Sequence, residues 1–262
     1  MRVIFVGDVV GRPGRNAVAS LLPKIRAERG IDFAIVNGEN AAGGAGLTAD
    51  IARELNANGA DVVTNGNHVW DQRQFLNDIE LLAFAIRPIN LAPGNPGRGW
   101  VVIKDVLVVN AIGRTFMAPA DDPFRAIDAL LEQLGRDAPR VRVLDWHAEA
   151  TSEKVAMGWH LDGRFSAVVG SHTHVPTADP RVLPQGTAHV SDTGMVGPRD
   201  SVLGVDKDII VARFRDGMPR RFEVAGGPVQ FNSVVIDVDE STGRARSIER
   251  LDQLIGEDGS RA

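Results

Sequence analysis

Apolar and polar positions follow two rhythms along the chain. Residues 3–6, 33–36 and 62–64 are short, nearly continuous apolar runs, too short for helices and suited to buried strands. Between them the apolar positions fall at helical spacing. Within 16–29 they are Val18, Leu21, Leu22 and Ile25, with Pro23 predicting a local distortion. Thr48 reads as the N-cap of a second helix that carries Ile51 and Leu55 and closes at Gly59. Residues 72–82 predict a third. Strand and helix in alternation are the pattern of an α/β fold.

The middle and the tail change character. Residues 101–103 and 106–109 flank Lys104-Asp105 as a hairpin would. A helix is predicted over 123–134, strands over 141–144 and 167–169, and a turn at Pro184-Gln185-Gly186-Thr187 between two further strands. Residues 205–213 predict a short helix. The runs 229–238 and 244–251, around Ser241-Thr242-Gly243, predict a terminal hairpin. The Pro- and Gly-rich stretch 92–99 is loop length, and no repeat or linker interrupts the chain. The pattern fits a single α/β domain spanning 1–262, built from two packed mixed β-sheets flanked by helices.

Composition narrows the chemistry. The chain has 262 residues, 44% hydrophobic and 24% charged, with a formal net charge of −5. That is ample for a core, and it disfavours long nucleic acids without excluding a small nucleotide. Cysteine is absent, which removes disulfides, thiolate metal sites and thiol nucleophiles together. The first residues enter a strand directly, and no run approaches the roughly 20 apolar residues that span a bilayer. The expectation is a soluble cytoplasmic protein with no membrane partner; homo-oligomerisation is left open.

The polar clusters carry the functional signal. Five apolar runs end in metal-competent side chains: Gly7-Asp8, Gly38-Glu39-Asn40, Gly66-Asn67-His68, Asp145-Trp146-His147, and Gly170-Ser171-His172-Thr173-His174. In open α/β sheets ligands gather outside the carboxyl ends of strands. Without thiolates, imidazole and oxygen donors suit hard or borderline divalent ions. Asp8, Glu39, Asn40, Asn67, His147, His172 and His174 are too many for one ion that keeps an open position, and they suit two ions sharing a carboxylate. His172 and His174 would face one way on an extended segment. Adjacent Glu39 and Asn40 would diverge on a strand and must lie on a loop to act together. Taken singly, Asp8 also fits a helix cap, Asn67 a turn and Trp146-His147 a half-buried structural pair.

This order of clusters resembles the calcineurin-like metallophosphoesterases, and within them the bacterial 2′,3′-cyclic-nucleotide 2′-phosphodiesterase branch. The resemblance extends over residues 7–11, 37–46, 65–71, 170–178 and 192–197. It implies a four-layer sandwich and two metal ions, iron or manganese, with zinc a further option. It implies that Asp8, Glu39, Asn40 and His174 hold the first ion. Glu39, Asn67, His147 and His172 would hold the second, with Glu39 bridging and His68 as general acid. The wider superfamily opens with Asp-x-His; here the third position is Val10, and Asn40 fills the vacancy. The implied reaction is hydrolysis of 2′,3′-cyclic nucleotides, and of other small phosphodiesters, to 3′-nucleotides by a metal-bridging hydroxide. Alternatives are a phosphomonoesterase or nuclease on the same site, or a regulatory protein acting through a partner.

The remaining candidates read as structural. His160 lies at a polar helix end, and His189 sits in an alternating strand as a hydrogen-bonded core histidine. Glycine-rich 42–46 lacks the ending of a P-loop and reads as a flexible loop lining the cleft. Arg12 and Arg199 fit a solvated surface as well as a phosphate contact.

Overall fold

In the computed structural model, which describes residues 1–256, the first three apolar runs become neighbouring parallel strands. The first half comprises β1 (Arg2–Val6), β2 (Asp8–Val9), α1 (Gly11–Arg29), β3 (Phe33–Asn37), α2 (Ala49–Ala57), β4 (Val62–Thr64) and α3 (Phe75–Asp78). The middle comprises β5 (Trp100–Ile103), β6 (Val106–Ile112), α4 (Pro123–Leu134), β7 (Val141–His147), α5 (Thr151–His160) and β8 (Ala167–Ser171). The last part comprises β9 (Arg181–Val182), β10 (Ala188–Val190), β11 (Met195–Pro198), α6 (Lys207–Asp216), β12 (Val229–Phe231), β13 (Ser233–Asp239), β14 (Arg244–Arg250) and β15 (Gln253–Ile255).

Two mixed sheets dominate, as the pattern predicts. One runs β14-β13-β1-β3-β4 and the other β5-β6-β7-β8-β10-β9. Side-chain alternation explains why their strands read as unbroken apolar runs. Val3, Phe5, Phe33 and Ile35 face inward against Val108, Val143 and Val169 of the other sheet. Ile4, Val6, Ala34 and Val36 face outward and are covered by Val18 and Leu22 of α1 and Leu55 of α2. On the far side Leu107, Leu144 and Trp146 pack under Ile127 and Leu130 of α4 and Met157 of α5. The layers are therefore helix, sheet, sheet, helix.

A small third sheet, β15-β12-β11-β2, lies outside the predicted pattern. The chain steps from the first sheet into it at Gly7, where a Cβ would lie 2.0 Å from the Gly194 carbonyl oxygen. The predicted run 229–238 is divided for the same reason. Asn232 leaves the ladder, its carbonyl accepts from Gly7 N at 3.0 Å, and β12 and β13 enter different sheets.

Other boundaries shift for local reasons. Helix α1 begins at Gly11, ahead of the predicted 16, because Pro13 lies in the first turn, where its missing N–H costs nothing. Thr48 caps α2 as expected, accepting from Ile51 N. The predicted helix 72–82 shortens to α3 and a 3₁₀ turn, because Phe75 and Ile79 bury while Leu76 and Leu81 stay exposed. Helix α6 starts at Lys207 because Asp206 caps it, accepting from Asp208 N and Ile209 N. Among the described residues no helix is long and apolar enough to cross a membrane.

The consequence for function is convergence. β1, β3 and β4 run parallel to one another in the first sheet, as β7 and β8 do in the second, and each of the five predicted clusters lies at or just beyond one of their carboxyl ends.

Candidate metal centre

All seven predicted donors come together. Glu39, His147 and His172 offer atoms within 4.8 Å of one another, and so do Asp8, Glu39 and His174. Glu39 belongs to both groups. Asn67 Oδ1 lies 3.0 Å from His147 Nε2, and Glu39 Oε1 lies 3.1 Å from the same nitrogen. His172 Nδ1 also faces it at 3.0 Å. Asn40 lies 3.1 Å from His174 Nε2 through its amide nitrogen and donates to Glu39 Oε1 at 3.0 Å. Exchanging the two ends of that amide presents Oδ1 to the same point.

Local backbone geometry makes this crowding possible. Glu39 and Asn40 lie in the turn after β3, as their adjacency requires. Gly66 lies so close that a Cβ there would stand 2.2 Å from Glu39 Oε2 and 2.3 Å from His147 Nε2. The two histidines after β8 correct one expectation. They are not on an extended segment; His172 has φ 98° and His174 φ 64°. Left-handed backbone at non-glycine residues costs of order 1–3 kcal/mol each and needs outside support. That support is Asp192, whose carboxylate accepts from Thr173 N at 3.0 Å and Gly194 N at 2.8 Å. Buried Lys154 completes it, donating to Asp192 at 2.5 Å and to the Ser171 carbonyl at 2.8 Å.

Electrostatics fit a cation. Asp8 and Glu39 are buried, with Asp145 and Asp192 close by. Burial pushes the Asp8 carboxyl well up, and its Oδ1 lacks a hydrogen-bond partner. Burial also works to raise Glu39, but the His147 charge and hydrogen bond, with His68 and His172, bring it down to about 2. His147 is raised to about 9: burial opposes its charge, and Glu39, Asp8 and Asp145 overcome that. The cluster thus draws positive charge to its centre, the place a metal cation would take. Burial lowers His174, and burial with the His147 charge lowers His172 to about 3, leaving both as the neutral imidazoles that ligate metals. The donor set of carboxylate, amide oxygen and imidazole suits hard or borderline ions.

The remaining predicted residues frame this cluster. His68 lies beside it, 40% exposed at its side chain; Nδ1 meets Asp71 Oδ2 at 2.8 Å, and its backbone N donates to Glu39 Oε2 at 3.3 Å. Val10 packs against Gly204, where a Cβ would lie 2.5 Å from its Cγ1. Val10 is itself buried, an apolar side chain with no donor to offer. A cleft of about 500 Å³ opens over the donors, lined by Gly43, Gly44 and Ala45 of the predicted loop and by His68, Glu149 and Phe222 among others. His160 binds Asp128 at 3.0 Å, a structural pair as predicted. His189 is corrected: it is buried, but neither ring nitrogen completes a well-formed hydrogen bond. Its ring packs against Gly158 instead. Arg199 pairs with neighbouring Asp200, and Arg12 lines a separate surface pocket.

Besides Asp192, the residues Ser171, Asp145, Glu149 and Lys154 also support the cluster without an assigned role in the sequence. Ser171 Oγ lies 2.9 Å from His147 Nδ1 and donates to Asp145 Oδ1 at 2.6 Å. Burial raises Asp145 to about 6, against the His147 charge and the Ser171 hydrogen bond. Glu149 Oε2 lies 3.1 Å from His172 Nε2. Such outer partners fix ring orientation and tautomer at metal sites. Lys154 has no local sign in the sequence, because its partners lie in β8 and beyond.

Two packed mixed sheets with this donor cluster at their strand ends define a protein of the metallophosphoesterase kind. Comparison with known proteins agrees. The chain belongs to the YmdB-like protein family, whose model matches residues 4–251. A relative from Bacillus subtilis (strain 168), 2′,3′-cyclic-nucleotide 2′-phosphodiesterase, is 47% identical over 98% of this chain and 98% of its own. A solved hypothetical protein from Thermus thermophilus superposes with a TM-score of 0.91 at 42% identity, covering 97% of this chain and 99% of that one. A solved novel phosphatase from Mycoplasma pneumoniae gives 0.90 at 33% identity, over 97% and 93%.

Proposed function

We propose that this protein is a cytoplasmic, single-domain, dinuclear-metal phosphodiesterase that opens 2′,3′-cyclic nucleotides to 3′-nucleotides. The observation that carries this reading is Glu39 shared between two donor groups. The name of the B. subtilis relative supports the substrate class.

Asp8, Glu39, Asn40 and His174 would hold one ion, and Glu39, Asn67, His147 and His172 the other. Iron or manganese suits these donors, with zinc a further option. When bound, such a pair supplies a nucleophile near neutral pH and neutralises charge on phosphoryl oxygens. The chain's own residues do the rest. Glu149 and Ser171 fix the rings of His172 and His147. Asp71 accepts from His68 Nδ1, leaving Nε2 as the ring nitrogen that passes a proton to the departing 2′ oxygen.

The test pairs elemental analysis with a panel of 2′,3′-cyclic nucleotides, 3′,5′-cyclic nucleotides, aryl phosphodiesters and phosphomonoesters. Two metal equivalents and preferred turnover of the 2′,3′-cyclic substrates are expected. Turnover of monoesters alone would overturn the assignment. His68→Ala should keep both metals and lose about 10²–10⁴-fold in turnover where the leaving group is poor. Unchanged turnover there would remove His68 from the acid role.

A further inference from the structure

The cleft above the donors is chemically lopsided. Among the described residues its lining holds no lysine or arginine, so the cationic groups that usually orient the remainder of a nucleotide are missing from its walls. One wall is apolar instead, made by Leu203, Val205, Phe222 and Val224. Phe222 is the single phenyl ring among the described lining residues, and it remains 44% exposed. The Arg213 guanidinium of α6 lies over the ring, 4.8 Å from its centroid. A guanidinium at this distance is attracted to the face of the ring and holds it in place.

The position of this ring is tied to the reacting centre. Leu203 O lies 3.0 Å from His174 Nδ1. The same turn pairs with the Phe222 segment: Val205 bridges Val224, Asp206 N donates to Glu223 O at 2.9 Å, and Ala225 N donates to Gly204 O at 2.9 Å. His174 and Phe222 are therefore held by one small backbone ladder. A mobile surface aromatic would not have such a register.

Resting on the phosphodiesterase reading above, we propose that Phe222 is the platform on which the substrate's nucleobase stacks, with Arg213 bracing the ring from behind. Stacking reads a flat π-face and no particular hydrogen-bond pattern, so the cleft accepts purine and pyrimidine nucleotides alike. It discriminates instead against five-membered cyclic phosphodiesters that carry no base.

The experiment compares 2′,3′-cyclic AMP with glycerol 1,2-cyclic phosphate, which presents the same ring to the metals without a base. It uses the metal-loaded wild type, Phe222→Ala, Phe222→Leu and Phe222→Trp. The wild type should prefer the nucleotide in kcat/KM. Phe222→Ala and Phe222→Leu should lower that preference about tenfold, mostly through KM, while Phe222→Trp keeps it. Equal losses on both substrates, or full preference in Phe222→Leu, would overturn the platform. Calorimetric binding of 3′-AMP separates this proposal from the functional reading. If the wild type turns over neither substrate, the functional reading fails; weaker 3′-AMP binding by Phe222→Ala and Phe222→Leu still upholds the platform, and unchanged binding overturns it.

Discussion

Gly66→Ala tests the crowded centre directly. Gly66 is outside the left-handed region, so alanine meets no backbone objection, and the whole effect is spatial. The new methyl would stand 2.2 Å from Glu39 Oε2 and 2.3 Å from His147 Nε2, against an ordinary contact of 3.4 Å or more. Either the methyl or both ligands must move by about 1 Å. Metal–ligand distances tolerate only about ±0.2 Å. Changes in outer-shell partners alone cost about 10–100-fold in metal affinity. A displacement of this size at Glu39, which serves both donor groups, should cost at least about 100-fold at each ion. Overpacking should cost about 1–3 kcal/mol of stability, which a protein of this size survives. Elemental analysis and manganese titration calorimetry read the first effect, and circular dichroism confirms the fold. Gly226→Ala is the control, because a Cβ there meets nothing within 4 Å. A folded Gly66→Ala protein that binds two equivalents at wild-type affinity would refute the reasoning.

Lys154→Met should cost about 3–5 kcal/mol, because it leaves the buried Asp192 carboxylate unpaired. Adding Asp192→Asn should restore part of the melting temperature if charge imbalance is the cause. Removal of both metals should lower the melting temperature by roughly 10–20 °C relative to protein with metal 100-fold above each dissociation constant, about 2.7 kcal/mol of linkage per ion; differential scanning calorimetry measures it. Burial works to raise Asp179, but hydrogen bonds from Ser191 and Thr177 hold it below its ordinary 3.8. Its folded-state value is thus depressed, and its stabilisation is present above pH 3.8 and lost as pH falls through the lower folded value. Asp179→Asn should remove about 1.5–3 kcal/mol at neutral pH and flatten the acid limb of a urea-denaturation series; an unchanged acid limb would exclude this role.

The site was legible because its donors cluster at strand ends, and strand ends are readable from where apolar runs stop. Asp8, Glu39, Asn67, His147 and His172 each follow or close such a run. What joined His174 to them was less legible. The expected alternation of an extended segment gave the right outcome for the wrong reason, since two left-handed residues held by Asp192 turn both rings inward. Asp192 and Lys154 come from distant segments, so no local pattern announces them. The third sheet escaped for a similar reason. Its β2 has only two residues, Asp8 and Val9, paired with Met195 and Val196. Strand periodicity needs more residues than that to register.

The partnership of β1 with β13 has a consequence for how the chain is made. Arg2 pairs with Asp237 and Val6 with Ser233, so the central strand of the first sheet gains one neighbour only after residue 233 has been made. Asp8 follows that strand and pairs through β11, also a late segment. Pairings this remote in sequence close slowly and late. An emerging chain would thus present Glu39, Asn67 and His147 before β13 and β11 pair with the strands on either side of Gly7. Filling of the proposed two-ion site would then follow those late pairings, and a chain lacking β11 and β13 would not complete it.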